Sequence, residues 1–286
     1  MNKKILVTGA TGNVGFEIAR GLQQEGAPFV AAGRHEDKAR DMLGDNVEFV
    51  KFDFADPSTH APALEEIDKI FLMRPPAVAD AKKYVRPFIQ MAAKRGVKQI
   101  VFLSILGAES NPVVPHRAIE KYILEAKVPY TFLRASFFMQ NLNTTHQHDI
   151  RQNDRIFVPA GKGRTSFIDV RDIAAVGVQA FLNSIHLNQA YDLTGNKALN
   201  YYEVAKDFTE VLGRKITYSN PGPIQFWKGM REQGYDNGFI AVMMALYTTA
   251  RLGLAKRVTN DTEMVLNRPA ISMKQYVKDY QEYFKP

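Results

Sequence analysis

Gly9, Gly12 and Gly15 stand three residues apart. They lie between a short apolar, β-prone run (residues 5–8) and a stretch where Ile18, Ala19 and Leu22 recur with helical period. That order is strand, glycine turn, helix. Such a turn presents backbone N–H groups and the positive end of a helix, which together suit a pyrophosphate. Gly9 lets the chain leave the strand sharply, Gly12 lets backbone approach phosphates without a Cβ, and Gly15 lets the helix lie close on the sheet. The spacing is GxxGxxG rather than the GxGxxG of the general dinucleotide fingerprint, so the flanking strand and helix carry the reading. The expected dinucleotide contacts in this turn are Gly9, Thr11, Gly12, Asn13, Val14 and Gly15.

The rest of the first half repeats the strand-helix alternation. Gly26 and Pro28 precede a second strand, Phe29–Gly33, which ends at Arg34 and His35. In a dinucleotide-binding sheet, an acidic residue at this end hydrogen-bonds the adenosine ribose of NAD, whereas a cation accommodates the 2′-phosphate of NADP. Arg34 favours NADP(H) on that rule. Glu36 and Asp37 close behind it keep NAD(H) as the alternative.

Residues 47–52 alternate into a third strand followed by Asp53 and Phe54, a carboxylate and a ring placed for adenine, or a plain turn before Pro57. Residues 69–73 form a fourth strand. It delivers Leu72, Met73 and Arg74 to the stiff Pro75-Pro76 loop, where the nicotinamide ribose would pass. A helix over 80–95 is expected to kink at Pro87, and a buried fifth strand over 99–103 delivers Ser104 as a further expected cofactor contact. Strands spaced by helices mean βαβ units and a parallel sheet, whose ligands sit at the carboxyl ends of the strands.

Further on, residues 115–127 read as a helix opened by Pro115, and residues 129–135 as a sixth strand. Residues 156–173 read as two short strands around a glycine turn, leading into a helix capped by Asp169. Residues 190–194 give another strand, and helical periodicity dominates from Tyr201. The expected fold is a Rossmann-type doubly wound parallel α/β sheet with a smaller, mainly helical C-terminal lobe. The dinucleotide domain would span 1–155, completed by segments near 164–194, and the substrate lobe 196–286.

Composition excludes several classes. The 286 residues contain no cysteine, which removes disulfides, thiolate metal sites and cysteine nucleophiles, and suits a reducing, cytoplasmic setting. The chain runs from Met1 into the first strand without an apolar signal segment, and the longest apolar run, 239–247, is too short for a membrane span. The net charge of +7 comes from scattered Lys and Arg with no aromatic-basic ladder, so neither nucleic acid nor membrane is the expected partner. His146 and His148 alternate without an evident third ligand, so no metal is expected.

The glycine turn at 9–15, Arg34 and Ser104 resemble the extended and atypical short-chain dehydrogenases. Together with residues 116–120, 129–134, 167–174 and 191–195, they are most similar to the NmrA-like branch. The resemblance covers nearly the whole chain. It implies NAD(P) binding, and an activity within a branch that includes NADPH-dependent quinone reductases, azo-dye and triphenylmethane-dye reductases, and proteins that sense NADP(H) without turnover. The branch's oxidoreductase relatives outside it use a Tyr-x-x-x-Lys pair. Aligned on Glu120, the lysine position is His116 and the tyrosine position Pro112, so the pair is missing.

Hydride delivery to an ordinary ketone creates an alkoxide that needs a positioned acid. A quinone or a cationic dye spreads or loses its charge and does not. The expected function is therefore hydride transfer from NADPH to a quinone, azo or aryl-dye acceptor, with His116 and Ser104 as catalytic candidates. The alternative is a non-catalytic NADP(H)-sensing protein. Helix-dipole repulsion pushes His116 toward neutrality, while Glu120 one turn on is expected to pull the other way. Phe137, Phe138, Met139, Trp227 and Met243 belong to aromatic and methionine-rich stretches suited to a flat acceptor, or to the core of the lobe. A homodimer and a regulatory protein partner both remain compatible with this reading.

Overall fold

The computed structural model describes residues 4–76 and 78–286. It divides into two compact units whose chain segments interleave: one holds Met1–Ala135, Val170–Leu193 and Met264–Asn267, the other Ser136–Asp169, Thr194–Glu263 and Arg268–Pro286. Where the sequence places the boundary near 155, the chain first changes unit after Ala135.

The first unit is built on a seven-stranded, wholly parallel sheet. Its strands are β1 (Lys4–Thr8), β2 (Phe29–Gly33), β3 (Phe49–Lys51), β4 (Ile67–Leu72), β5 (Gln99–Ile105), β6 (Tyr130–Ala135) and a last strand, Gln189–Leu193. Across the sheet the order is Gln189–Leu193, β6, β5, β4, β1, β2, β3. The chain thus works outward from β1 in one direction, then restarts at β4 and works outward in the other. This reversal opens a crevice outside the carboxyl ends of β1 and β4. Central strands covered on both faces read as unbroken apolar runs: Leu6, Val7, Ile70, Phe71, Leu72, Val101 and Phe102 are all fully buried.

The covering helices include α1 (Asn13–Gln24), α2 (Glu36–Leu43), the short α3 (His60–Ala63), α4 (Ala81–Tyr84), α5 (Arg86–Lys94) and α6 (Pro115–Glu125). The single helix expected over 80–95 is two helices joined at Val85. Pro87 has no N–H to give, and its ring crowds the carbonyl four residues back. On the other face α1 lies against the helix Val170–Leu182. A Cβ on Gly177 would fall 2.5 Å from Ile18 Cδ1, and one on Gly21 2.8 Å from Val178 Cγ2, so bare glycines set the approach of the two helices.

The second unit has its own core, with Phe157, Tyr201, Phe208, Phe226, Tyr247, Tyr276 and Phe284 among its buried residues. Its helix Tyr201–Leu212 starts with a reciprocal cap between Asn200 and Glu203. The two short strands expected within 156–173 do form, but they do not pair with each other. Arg155–Ile156 pairs with Thr217–Tyr218, and Phe167–Ile168 with Phe137–Phe138. The intervening glycine loop is pressed on a helix instead: a Cβ on Gly163 would lie 1.9 Å from the Ala250 carbonyl oxygen. Among the described residues no helix is long and apolar enough to cross a membrane.

Candidate functional site

At the β1–α1 turn the three glycines have separate duties. Gly9 adopts φ +66°, and its amide completes β1 by donating to Ala32 O. Gly12 N donates to Gly9 O at 2.9 Å, which closes the turn. A Cβ on Gly9 would meet Met73 Cε at 2.1 Å, and one on Gly15 would meet Gly9 O at 2.2 Å. Gly12 is the extended residue before α1, and no side chain caps the amides of the first helical turn. Thr11 and Gly12 are half-buried, Asn13 is exposed, and Val14 and Gly15 are buried under the turn.

Thr8, which the sequence reading passed over, ties this corner together. Its Oγ1 donates to Phe71 O at 2.9 Å and accepts from Met73 N at 2.9 Å, joining the ends of β1 and β4. A hydroxyl at the last residue before a glycine turn was the available signal.

Arg34 follows β2 and is exposed, with no side-chain partner among the described residues. Asp53 is half-buried; its Oδ1 accepts from Ala55 N at 2.9 Å, an aspartate turn, and its carbonyl accepts from Thr59 Oγ1. The Phe54 ring lies in the core, edge-on to Phe52 with centroids 4.8 Å apart, and the Leu72 side chain is likewise fully buried. Both residues therefore reach the edge of the sheet through backbone alone. Arg74, just past β4, turns its Nη1 onto the carbonyls of Pro75, Pro76 and Val78.

The β5–α6 corner is differently made. Ser104 ends up directly beside Arg134 in the parallel pairing of β5 and β6. Its hydroxyl donates to Glu120 Oε1 at 2.7 Å. Glu120 is completely buried and accepts a bidentate pair from Arg134, Nε to Oε1 and Nη2 to Oε2, both at 2.9 Å. Arg117 Nη1 reaches the same carboxylate at 3.4 Å, and Arg134 also faces Glu109.

His116 sits in the first turn of α6, its ring stacked on Phe102 with centroids 6.1 Å apart. Burial, followed by the positive charge of Arg74, pushes its pKa down to about 4. The expected upward pull from Glu120 is not felt, because that carboxylate is spent on Arg134 and Ser104. His116 and Ser104 thus lie on one corner of the sheet edge, while the glycine turn, Met73 and Arg74 form another and Arg34 and Asp53 lie beyond β1.

On the second unit, Phe137 and Phe138 are half-buried in their short strand, and Trp227 is half-buried against the unit's core. Met139 and Met243 lie within that core. His146 is buried with its Nε2 bonded to the Tyr247 hydroxyl, and His148 is exposed.

The donors of the first unit fit a phosphorylated dinucleotide. The uncapped amides at the start of α1 open above glycines whose side chains would fill the turn, and Arg34, without a partner among the described residues, offers its guanidinium one strand over, at the end of β2.

Comparison with known proteins agrees with this geometry. A family model described as the NmrA-like family matches residues 1–267. The NAD(P)H azoreductase of Xenophilus azovorans is 34% identical over 284 residues, covering 98% of this chain and 99% of that protein. Quinone oxidoreductase 2 of Escherichia coli (strain K12) is 26% identical over 247 residues, covering 84% and 85%. Among solved structures, the Citrobacter sp. triphenylmethane reductase complexed with NADP(H) superposes with a TM-score of 0.85 at 24% identity, over 96% of this chain and 99% of that one.

Proposed function

The chain belongs to the NmrA-like family, and on that premise we propose that it is an NADPH-dependent reductase of conjugated acceptors, a quinone or an azo or aryl dye. The observation that carries this reading is the chemistry of the β5–α6 corner. Ser104 has committed its proton to Glu120, and His116 is held neutral, so the corner has no strong acid to protonate an alkoxide. Pro112 and His116 occupy the places where a Tyr and a Lys would supply that acid. Acceptors that delocalise the added charge escape the requirement.

Backbone amides of Thr11, Asn13, Val14 and Gly15 would hold the pyrophosphate, Gly12 offering a bare backbone for close approach and Gly9 making the room. Arg34 would bind the 2′-phosphate through charge-assisted hydrogen bonds, and Asp53 with the backbone at Phe54 would border the adenine. Leu72 and Met73 would line the path toward the ribose beside nicotinamide. When bound, the reduced nicotinamide supplies a hydride; a quinone or an azo dye then takes its balancing proton from water, giving a hydroquinone or a hydrazo compound, whereas a cationic triphenylmethane dye becomes its neutral leuco form with no proton required. Phe137, Phe138 and Trp227, only half-buried, would contact a flat aromatic acceptor, with Met139 and Met243 supporting them through packing.

The test is loss of reduced-nicotinamide absorbance with NADPH and a panel of quinones, azo dyes and triphenylmethane dyes, an unactivated ketone serving as control. Turnover on the panel and none on the ketone is the expected result. Saturable NADPH binding with no turnover on any acceptor would replace this reading with that of an NADP(H) sensor.

A further inference from the structure

Among the described residues of the first unit, two nitrogens are sealed from solvent without a partner: Nε of Arg74 and Nδ1 of His116. Both belong to side chains that are otherwise fixed. The Arg74 guanidinium is clamped through Nη1 by three carbonyls, at 2.9 Å from Pro75, 3.2 Å from Pro76 and 2.8 Å from Val78. The His116 ring is stacked on Phe102. Their chemistry is complementary, because a guanidinium Nε can only donate, and a neutral imidazole Nδ1 accepts when the ring proton is on Nε2. Nε2 of His116 is not among the buried unpartnered atoms.

Building on the reductase reading, we propose that Arg74 is a positioning residue. It holds His116 in the Nε2–H tautomer, and that neutral N–H donates to the acceptor heteroatom where negative charge collects. Arg74 lies two residues past Leu72, which pairs with Phe102, the ring on which His116 stacks; a water between the guanidinium and Nδ1 would serve both orphaned atoms and leave Nε2 as the outward donor.

The surrounding charges keep the ring in this state. Arg74, on the loop after β4, repels a second positive charge and acts with burial to hold the imidazole neutral. On α6 itself, Arg117 faces Glu120. From β5 and β6, Ser104 and Arg134 take up the Glu120 oxygens, so that carboxylate is not available to draw a proton onto the ring. The positive end of the α6 dipole works in the same direction. A neutral imidazole in such a place stabilises charge by hydrogen bonding without transferring its proton. It therefore selects acceptors whose hydride adduct is a stable anion, a quinone oxygen or an azo nitrogen conjugated to an aryl ring, and leaves the final proton to water.

The test uses the full chain with 15N-labelled histidine and long-range proton–nitrogen correlation, His116 being assigned by its loss in His116→Asn. The wild type should show a neutral ring protonated on Nε2 across about pH 5 to 8. Arg74→Ala should give a mixture of both tautomers. It should also lower kcat by roughly tenfold or more, as loss of a pre-positioned donor does. Arg74→Gln, which keeps a donor without the charge, should restore the tautomer. A wild-type ring protonated on Nδ1, a ring that titrates near its ordinary value, or an unchanged tautomer in Arg74→Ala would each overturn the assignment. So would a variant whose defect lies wholly in NADPH binding. Failure of every acceptor to turn over would instead overturn the reductase reading, and the ring's tautomer would still be read independently from the spectra.

Discussion

At the β1–α1 turn the first amides of a helix lack a capping side chain, and nearby Arg34 is exposed with no partner among the described residues. Along the same sheet edge, at the β5–α6 corner, nearly every polar group is consumed: Ser104, Glu120, Arg134 and Arg117 satisfy one another around a buried carboxylate. The contrast separates two uses of polar residues. Unpaired donors at an exposed helix start cost little while water solvates them, and they are ready for an anionic ligand. A buried carboxylate has to be fully bonded, and once it is, it fixes geometry rather than reacting.

The largest effect should come from breaking the closed corner. Glu120→Ala leaves the Arg134 guanidinium without its bidentate partner, and thermal or denaturant unfolding should show a loss of about 3–5 kcal/mol. A loss within experimental error would mean that Arg134 finds an equivalent partner in Glu109, and that the corner is less committed than its geometry says. At the open corner, Arg34→Ala should leave stability unchanged and weaken NADPH binding by about 1–3 kcal/mol, with NADH hardly affected. Calorimetric titration with both nucleotides decides this, and equal losses for the two would remove the 2′-phosphate from the role of Arg34. The smallest effect sharpens the comparison. Ser104→Ala removes one of several bonds to Glu120, so stability should fall by about 1–2 kcal/mol while kcat stays near wild type. Collapse of turnover in this variant would show that the serine proton is used in the reaction after all.

The sheet was legible because its signals are local. The strands are short runs rich in apolar residues, the glycine turn sits between strand and helix, and Arg34 and Ser104 stand where their strands end. The bonds that decide what those residues can do were not legible, because they join distant stretches. Glu120 meets Arg134 and Ser104 across three elements, and the charge of Arg74 reaches His116 from the loop after β4. The direction of a side chain at a strand end was equally hidden: Phe54 and Leu72 stand at the right sequence position but turn into the core. In the second unit the short strands near 156 and 167 were visible, yet not their partners, since two-residue strands carry too little pattern to specify pairing.

The last strand of the sheet, Gln189–Leu193, and the helix before it are separated from β6 by a segment that belongs to the other unit. During synthesis, the nucleotide-binding half therefore stays unfinished until the ribosome has passed residue 193 of 286, however early its glycine turn emerges. Until then β6 is an open edge and α1 shows a bare apolar side with Ile18 uncovered, the kind of surface that invites sticking to other nascent chains. A fragment ending at Ala135 would carry the same two exposed faces permanently, so the nucleotide site of this chain is not a separable module.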